Sequence, residues 1–159
     1  MRLQLALNVE NLDEAIPFYE QMFGTQVSKR KPGYANFAID RPPLKLVLFE
    51  APDAPERINH LGVEVFDDEE VTAAINRLQD GELEHIIEQE TICCYATQNK
   101  VWAREPQGLR WEWYRVLADS EKRYGPRDRG LVPDSTDPGL CCVDEEPDPC
   151  CAGQDADRS

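Results

Sequence analysis

Three observations predict an α+β fold of two tandem β-α-β-β-β modules that form a half-open, barrel-like sheet around a cavity, followed by a disordered tail. The order of strand-like and helix-like segments runs twice. Each helix opens on a capping residue seven positions after a polar strand residue, Asn11 after Gln4 and Asp67 after His60. Regular periodicity then stops near Asp119.

The first module opens with the strand "RLQLALNV" (2–9), in which apolar and polar positions alternate. A helix over residues 12 to about 23 follows, with Leu12, Ala15, Ile16, Tyr19 and Phe23 on one stripe. Asn11 caps it, Glu14 stands three residues on, and Pro17 removes one internal hydrogen bond and is expected to bend it. Three strands complete the module, "QVSKR" (26–30), "YANFAI" (34–39) and "LKLVLFE" (44–50), separated by the turn signals Lys31-Pro32-Gly33 and Arg41-Pro42-Pro43.

The second module repeats the pattern. "NHLGVEV" (59–65) is its opening strand, and a helix over residues 68 to about 79 carries Val71, Ala74, Ile75 and Leu78, capped by Asp67 with Glu70 three residues on. The strands "LEHIIEQE" (83–90), "NKVWAR" (99–104) and "LRWEWYRV" (109–116) close it. The modules thus cover about 1–50 and 57–118 of one domain, 1–118. Residues 119–159 are rich in Pro, Gly, Asp and Glu, and bury too little apolar surface to offset their ordering entropy, so a disordered acidic tail is expected.

With 31 acidic against 17 basic residues, the formal net charge of -14 repels phosphate backbones and anionic bilayers, so neither nucleic acid nor membrane is an expected partner. No signal-peptide pattern opens the chain and no stretch of about 18 apolar residues occurs, which points to the cytoplasm. Thiols stay reduced there. All six cysteines nevertheless come as neighbours: Cys93-Cys94, Cys141-Cys142 and Cys150-Cys151. Adjacent residues of an extended chain point to opposite sides, which makes a disulfide within a pair strained and a role other than stapling the better expectation.

Strand alternation sets Gln4, Ala6 and Asn8 on one face and His60, Gly62 and Glu64 on the matching face of the repeat. Aligning the closing strands sets Val47 against Glu112, a carboxylate flanked by Trp111 and Trp113 whose burial requires a metal, a base or a proton. A cavity between the modules would gather Gln4, His60 and Glu112 and leave the Val47 corner without a ligand. Each residue alone also fits a plainer role, a polar edge glutamine or a hydrogen-bonded core histidine. Together, one imidazole, one carboxylate and one amide oxygen suit a divalent ion with open positions. His85, on a strand beside acidic residues, reads as structural.

The paired modules, "LNVENLDEAIPFYEQMFG" (7–24), "NHLGVEV" and "WEWY" resemble the vicinal oxygen chelate superfamily, which includes glyoxalase I, fosfomycin resistance proteins and extradiol dioxygenases. "RKPGYANFAI", "PPLKLVLFE", "NHLGVEV" and "CCYATQNKVW" narrow the resemblance to organoarsenical C–As lyases and the similar cadmium-induced proteins, over about residues 1–120. The resemblance implies metal ligands at Gln4, His60 and Glu112, with Gln standing where most relatives carry histidine. It further implies Fe(II), dioxygen as co-substrate, and cleavage of a trivalent organoarsenical to arsenite. Some relatives build cavities across two subunits and others within one chain, which leaves a homodimer open.

Trivalent arsenic is soft and prefers thiolates. Methylarsonous acid has two exchangeable hydroxyls, so Cys93 and Cys94 can replace both and close a ring through arsenic. Packing is the plainer role of a cysteine, but two neighbours cannot both face one core from a regular strand. A turn or bulge would let both sulfurs converge, and Thr91, Thr97 and Asn99 suit a polar loop there. Tyr95 and Lys100 are candidates to orient substrate or gate the loop, and Trp111, Trp113 and Tyr95 to line a cavity for aromatic substituents. The tail pairs are candidates to collect As(III), Cd(II) or Zn(II). A thiol-rich cadmium or arsenite binding protein without turnover is the main rival reading, and a glyoxalase-like isomerase the second, disfavoured by Val47.

Overall fold

The computed structural model describes residues 1–122. Its elements are β1 (Arg2–Val9), α1 (Leu12–Phe23), β2 (Lys29–Lys31), β3 (Tyr34–Ile39), β4 (Leu44–Glu50), β5 (Ile58–Val65), α2 (Asp68–Asp80), β6 (His85–Cys93), β7 (Ala96–Arg104) and β8 (Arg110–Asp119). The expected β-α-β-β-β order therefore occurs twice in an α+β fold. β8 runs to Asp119, past the expected end at 116; the tail expected beyond it, with Cys141-Cys142 and Cys150-Cys151, lies outside the described residues from 123 on. No helix among the described residues is long and apolar enough to cross a membrane.

Both helices start where the capping signals place them. Asn11 Oδ1 accepts from the backbone N–H of Asp13 at 2.7 Å and of Glu14 at 3.3 Å, and Asp67 Oδ1 accepts from Glu70 N at 2.9 Å. Each cap is worth about 1 kcal/mol. α1 continues through Pro17 and ends at Gly24, whose φ of 60° is the left-handed conformation that glycine adopts without steric cost.

Besides β8, three strands depart clearly from expectation. β2 covers 29–31 rather than 26–30, because Val27 N donates to the Glu20 side chain at 3.0 Å and leaves the ladder. β6 covers 85–93 rather than 83–90, since Leu83 N is bound to Leu78 O at 2.9 Å as part of the α2 terminus. β7 starts at Ala96 rather than 99, so the expected polar loop between them shrinks to two residues.

One eight-stranded sheet results, in the order β2-β3-β4-β1-β5-β8-β7-β6. β1 and β5 pair antiparallel at its centre, and each lies parallel to the closing strand of its own module. Ala6 faces Val47 as Gly62 faces Glu112, so the two halves match position for position: Gln4 with His60, Ala6 with Gly62, Val47 with Glu112, Phe49 with Tyr114, and Tyr34 with Lys100. α1 covers a buried cluster of Val9, Leu12, Ile16, Ala35, Phe37, Ile39, Leu46 and Leu48 on one face. Burying each large side chain there contributes roughly 1.5–3 kcal/mol. The other face curls inward. Tyr95, at the tip of the β6–β7 hairpin, packs against Tyr34 with ring centroids 5.5 Å apart, and its hydroxyl donates to Pro32 O at 3.2 Å, although β6 and β2 are the two ends of the sheet.

Candidate metal centre and thiol pair

Three polar side chains converge at the seam of the two halves. Gln4 and Glu112 flank Gly62 in adjacent strands, and His60 stands opposite Ala6. Gln4 Nε2 donates to Glu112 Oε1 at 2.6 Å and lies 2.9 Å from His60 Nε2, while His60 Nε2 and Glu112 Oε1 are 3.2 Å apart. All three residues are buried. Gly62 makes the approach sterically possible: a Cβ there would stand 2.9 Å from Glu112 Cγ and 3.3 Å from Gln4 Nε2. A glycine inside a strand was the signal for this role in the sequence.

The donor set fits a divalent cation. The His60 ring is held from behind, its Nδ1 lying 2.7 Å from Asn59 Oδ1, and its Nε2 faces the Glu112 carboxylate. Gln4 Oε1 accepts from the Tyr114 hydroxyl. A half-turn of the Gln4 amide exchanges its nitrogen and oxygen, and the hydroxyl accepts as readily as it donates. Imidazole nitrogen, carboxylate oxygen and amide oxygen then meet at one point. Val47, the counterpart of Glu112, is 3 % exposed in an apolar cluster with Ala6, Tyr34, Phe49 and Tyr95, so the fourth corner carries no donor, as expected.

Lys100 joins this centre to the thiols. It is 1 % exposed, with Nζ 3.4 Å from Glu112 Oε2 and 4.0 Å from Glu88 Oε2. Burial works to raise the Glu112 carboxyl, but the Lys100 ammonium, His60 and the Gln4 amide outweigh it and hold it at about 2. Burial also opposes charge on Lys100, yet Cys93, Glu112 and Cys94 together keep it firmly protonated. The Cys93 thiol is held below its ordinary range by its hydrogen bond with Cys94 and by the positive charge of Lys100, against the opposing effect of burial. Cys94 moves the other way, raised by donating to Cys93 and by burial. The pair is thus unequal, with Cys93 the first of the two to ionise.

A tight turn explains how neighbouring sulfurs converge. Cys93 pairs with Ala96, and the two residues between, Cys94 and Tyr95, have φ of 54° and 62°. Positive φ at both central positions is the pattern of a type I′ hairpin, usually built from Asn and Gly. Here two side-chain-bearing residues adopt it, at roughly 1–2 kcal/mol each. The sulfurs stand 3.1 Å apart, well beyond a disulfide bond of about 2.05 Å. That separation is close to the roughly 3.3 Å spanned by two bonds of about 2.3 Å meeting near a right angle on one soft ion.

Gln4, His60, Glu112, Cys93, Cys94, Tyr95 and Lys100 therefore all lie on the concave face or at its rim. Trp111 and Trp113 do not. They flank Glu112 on β8 and so point to the opposite face, where the Trp113 ring lies 4.9 Å from the Arg77 guanidinium of α2. The aromatic rings around the site are instead Trp102, edge-on to His60 at 5.1 Å, with Tyr34, Phe49 and Tyr114. His85, with Nδ1 2.7 Å from Leu83 O, lies at the start of β6, away from this cluster. The sequence places Gly62 on this face without spelling out its role, and gives no sign of Tyr114 and Asn59 as site residues.

Comparison with known proteins follows the same lines. Residues 3–113 match the family model of the Glyoxalase/Bleomycin resistance protein/Dioxygenase superfamily. A cadmium-induced protein, CadI, of Mycobacterium tuberculosis is 51% identical over 141 residues, covering 89% of this chain and 92% of the relative. A trivalent organoarsenical cleaving enzyme of Thermomonospora curvata is 50% identical over 121 residues, 76% of this chain and 80% of that protein. Among solved structures, homoprotocatechuate 2,3-dioxygenase (E323L) of Brevibacterium fuscum superposes with a TM-score of 0.56 at 18% identity, covering 74% of this chain and 33% of that one, a likeness of fold.

Proposed function

This chain belongs to the Glyoxalase/Bleomycin resistance protein/Dioxygenase superfamily, and from that premise we propose that it is an enzyme cleaving the carbon–arsenic bond of trivalent organoarsenicals, with Fe(II) and dioxygen. The observation that carries the reading is the Lys100 ammonium, 1 % exposed and 3.4 Å from Glu112 Oε2, whose charge also favours ionisation of the Cys93 thiol. It ties a thiol pair suited to arsenic to an acceptor trio suited to a metal. Relatives named for organoarsenical cleavage support the substrate class.

Capture balances without an added reagent. The Cys93 thiolate attacks arsenic and displaces hydroxide; Cys94 displaces the second hydroxyl, and its proton leaves with it as water. The organic group stays on arsenic, turned toward the apolar cluster of Ala6, Tyr34, Val47, Phe49 and Tyr95 that excludes water beside the thiols. Lys100 stabilises the attacking thiolate and holds Glu112 ionised. Tyr114 fixes the Gln4 amide. Gln98 Oε1 and Trp102 Nε1, both buried without a hydrogen-bond partner on the same face of β7, offer an acceptor and a donor to substrate. Gln4, His60 and Glu112 would hold Fe(II), which when bound supplies the means of activating dioxygen. Arsenic leaves trivalent as it arrived, and methylarsonous acid plus dioxygen balances to arsenite plus formaldehyde. A reducing cytoplasm keeps the thiols competent.

The test is anaerobic reconstitution with Fe(II), addition of methylarsonous acid, admission of oxygen and measurement of arsenite. Release that requires both iron and oxygen, and that Cys93→Ser abolishes while metal content is retained, supports the reading. Tight binding of the arsenical with no arsenite formed would favour sequestration, the reading suggested by the cadmium-induced relative.

A further inference from the structure

In the β1–β5 pairing Ala6 stands opposite His60, but the next pair is Leu7 with Ile58, so Asn59 is an extra residue. Such a bulge re-aims side chains and breaks strict alternation. Asn59 thereby shares the concave side with its neighbour His60, as its hydrogen bonds to Asn8 and His60 demonstrate. The first half has no counterpart: Leu3, before Gln4, pairs in register with Leu44 and Val63.

A chain of hydrogen bonds fixes which way the Asn59 amide points. The Glu56 carbonyl can only accept, so it takes Asn8 Nδ2, at 2.9 Å. Asn8 Oδ1 therefore faces the other way and accepts from Asn59 Nδ2, at 2.9 Å. From the opposite end the Arg110 guanidinium can only donate, and its Nη2 lies 3.2 Å from Asn59 Oδ1 and 3.4 Å from Asn59 O. Turning the Asn59 amide round would set donor against donor at Arg110 and acceptor against acceptor at Asn8. Its Oδ1 is thus an acceptor by construction, 2.7 Å from His60 Nδ1, so in the neutral ring that nitrogen carries the proton and Nε2 accepts from Gln4 Nε2 at 2.9 Å, while in the imidazolium Nε2 donates to Glu112 Oε1 at 3.2 Å.

We propose that Asn59 is a positioning residue: clamped by Asn8 and Arg110, it locks His60 in the tautomer whose Nε2 is bare and aimed at Gln4 and Glu112, the form that binds a divalent cation. The consequence for metal rests on the reading above, but the tautomer belongs to the protein before any metal arrives. Outer partners of this kind typically change metal affinity by about 10- to 100-fold.

The experiment uses the full-length chain carrying His85→Gln, which leaves His60 as the one remaining histidine of the two. Long-range proton–nitrogen correlation without metal, at a pH where the ring is neutral, distinguishes the two ring nitrogens. Co(II) titration followed by its visible absorbance reports the site separately. A bare Nε2 is expected in this parent. Asn59→Leu should mix the tautomers and weaken Co(II) binding by about 10- to 100-fold, whereas Asn59→Asp, which keeps the acceptor, should preserve both. A proton on Nε2 in the parent, or Asn59→Leu with unchanged tautomer and unchanged Co(II) affinity, overturns the proposal. Should Asn59→Leu fail to fold, Asn8→Ala with Arg110→Gln releases the clamp while leaving Asn59 in place, and an unaltered tautomer there overturns it equally. A parent with bare Nε2 that takes up no Co(II) upholds the lock and counts against the metal reading alone.

Discussion

The two halves of the sheet superimpose their registers and divide their labour. The cluster beneath α1 is aliphatic and aromatic and drawn wholly from residues 9–48. Every buried carboxylate, imidazole and ammonium among the described residues, His60, Glu64, Glu88, Lys100 and Glu112, comes from the second half. At equivalent positions Val47 in the first half corresponds to Glu112 in the second, Phe49 to Tyr114 and Tyr34 to Lys100. What repeats is backbone geometry, which any compatible side chain can occupy. One half is therefore free to hold the fold while the other carries charge that costs stability.

Copying the first half into the second at its most divergent position should do the most damage. Glu112→Val removes an acceptor and leaves the buried Lys100 ammonium only the more distant Glu88 carboxylate, so arsenite release should fall below detection and urea denaturation should show a loss of about 3–5 kcal/mol. Adding Lys100→Met should recover much of that stability and none of the turnover; turnover regained in the double variant would break the division. The reverse experiment is Phe37→Ala in the aliphatic cluster. A loss of about 3–5 kcal/mol is expected there too, with arsenite release per folded molecule unchanged, and a matching fall in turnover would show that the halves are not separable.

Smaller effects sharpen the comparison. Gly62→Ala gives the second half the residue that its counterpart Ala6 already has. The added carbon, 2.9 Å from Glu112 Cγ, should force the trio apart, cost about 1–3 kcal/mol and weaken Co(II) binding about tenfold or more, as titration would show. The mildest test is the acidity of the thiols, with Cys141, Cys142, Cys150 and Cys151 changed to serine. Cys93 is held low and Cys94 high, so ultraviolet thiolate absorbance should rise in two steps, one below and one above the ordinary thiol range near about 8.5. Lys100→Met withdraws a stabilising cation and should move the lower step up in pH; a step that stays put would remove Lys100 from the thiol site.

Much of this was readable in the chain because the signals were local. Helix caps at Asn11 and Asp67 and the alternation in "RLQLALNV" each fix one element without help from the rest, and the alignment that set Val47 against Glu112 needed only the repeat. That a turn brings the sulfurs together is legible, but its two-residue form at Cys94-Tyr95 is not, because it lacks the Asn or Gly that normally announces positive φ, and contacts from Tyr34 and Pro32 across the sheet hold it instead. Trp111 and Trp113 were set in the cavity together with Glu112, although alternation alone sends them to the other face. Asn59 was invisible for the opposite reason, since a bulge breaks the alternation by which a strand is read.

That hairpin has one more consequence. A short flexible peptide bearing Cys-Cys must freeze its backbone each time it chelates, and the ordering entropy of roughly 1–2 kcal/mol per residue is subtracted from affinity on every encounter. Here the backbone of Cys94 and Tyr95 is already wound into its unfavourable shape when the chain folds, and the apolar wall of the first half bears the cost. The pair therefore meets its ligand as a rigid bidentate claw, whose selectivity comes from its fixed bite rather than from the strength of the sulfur bond.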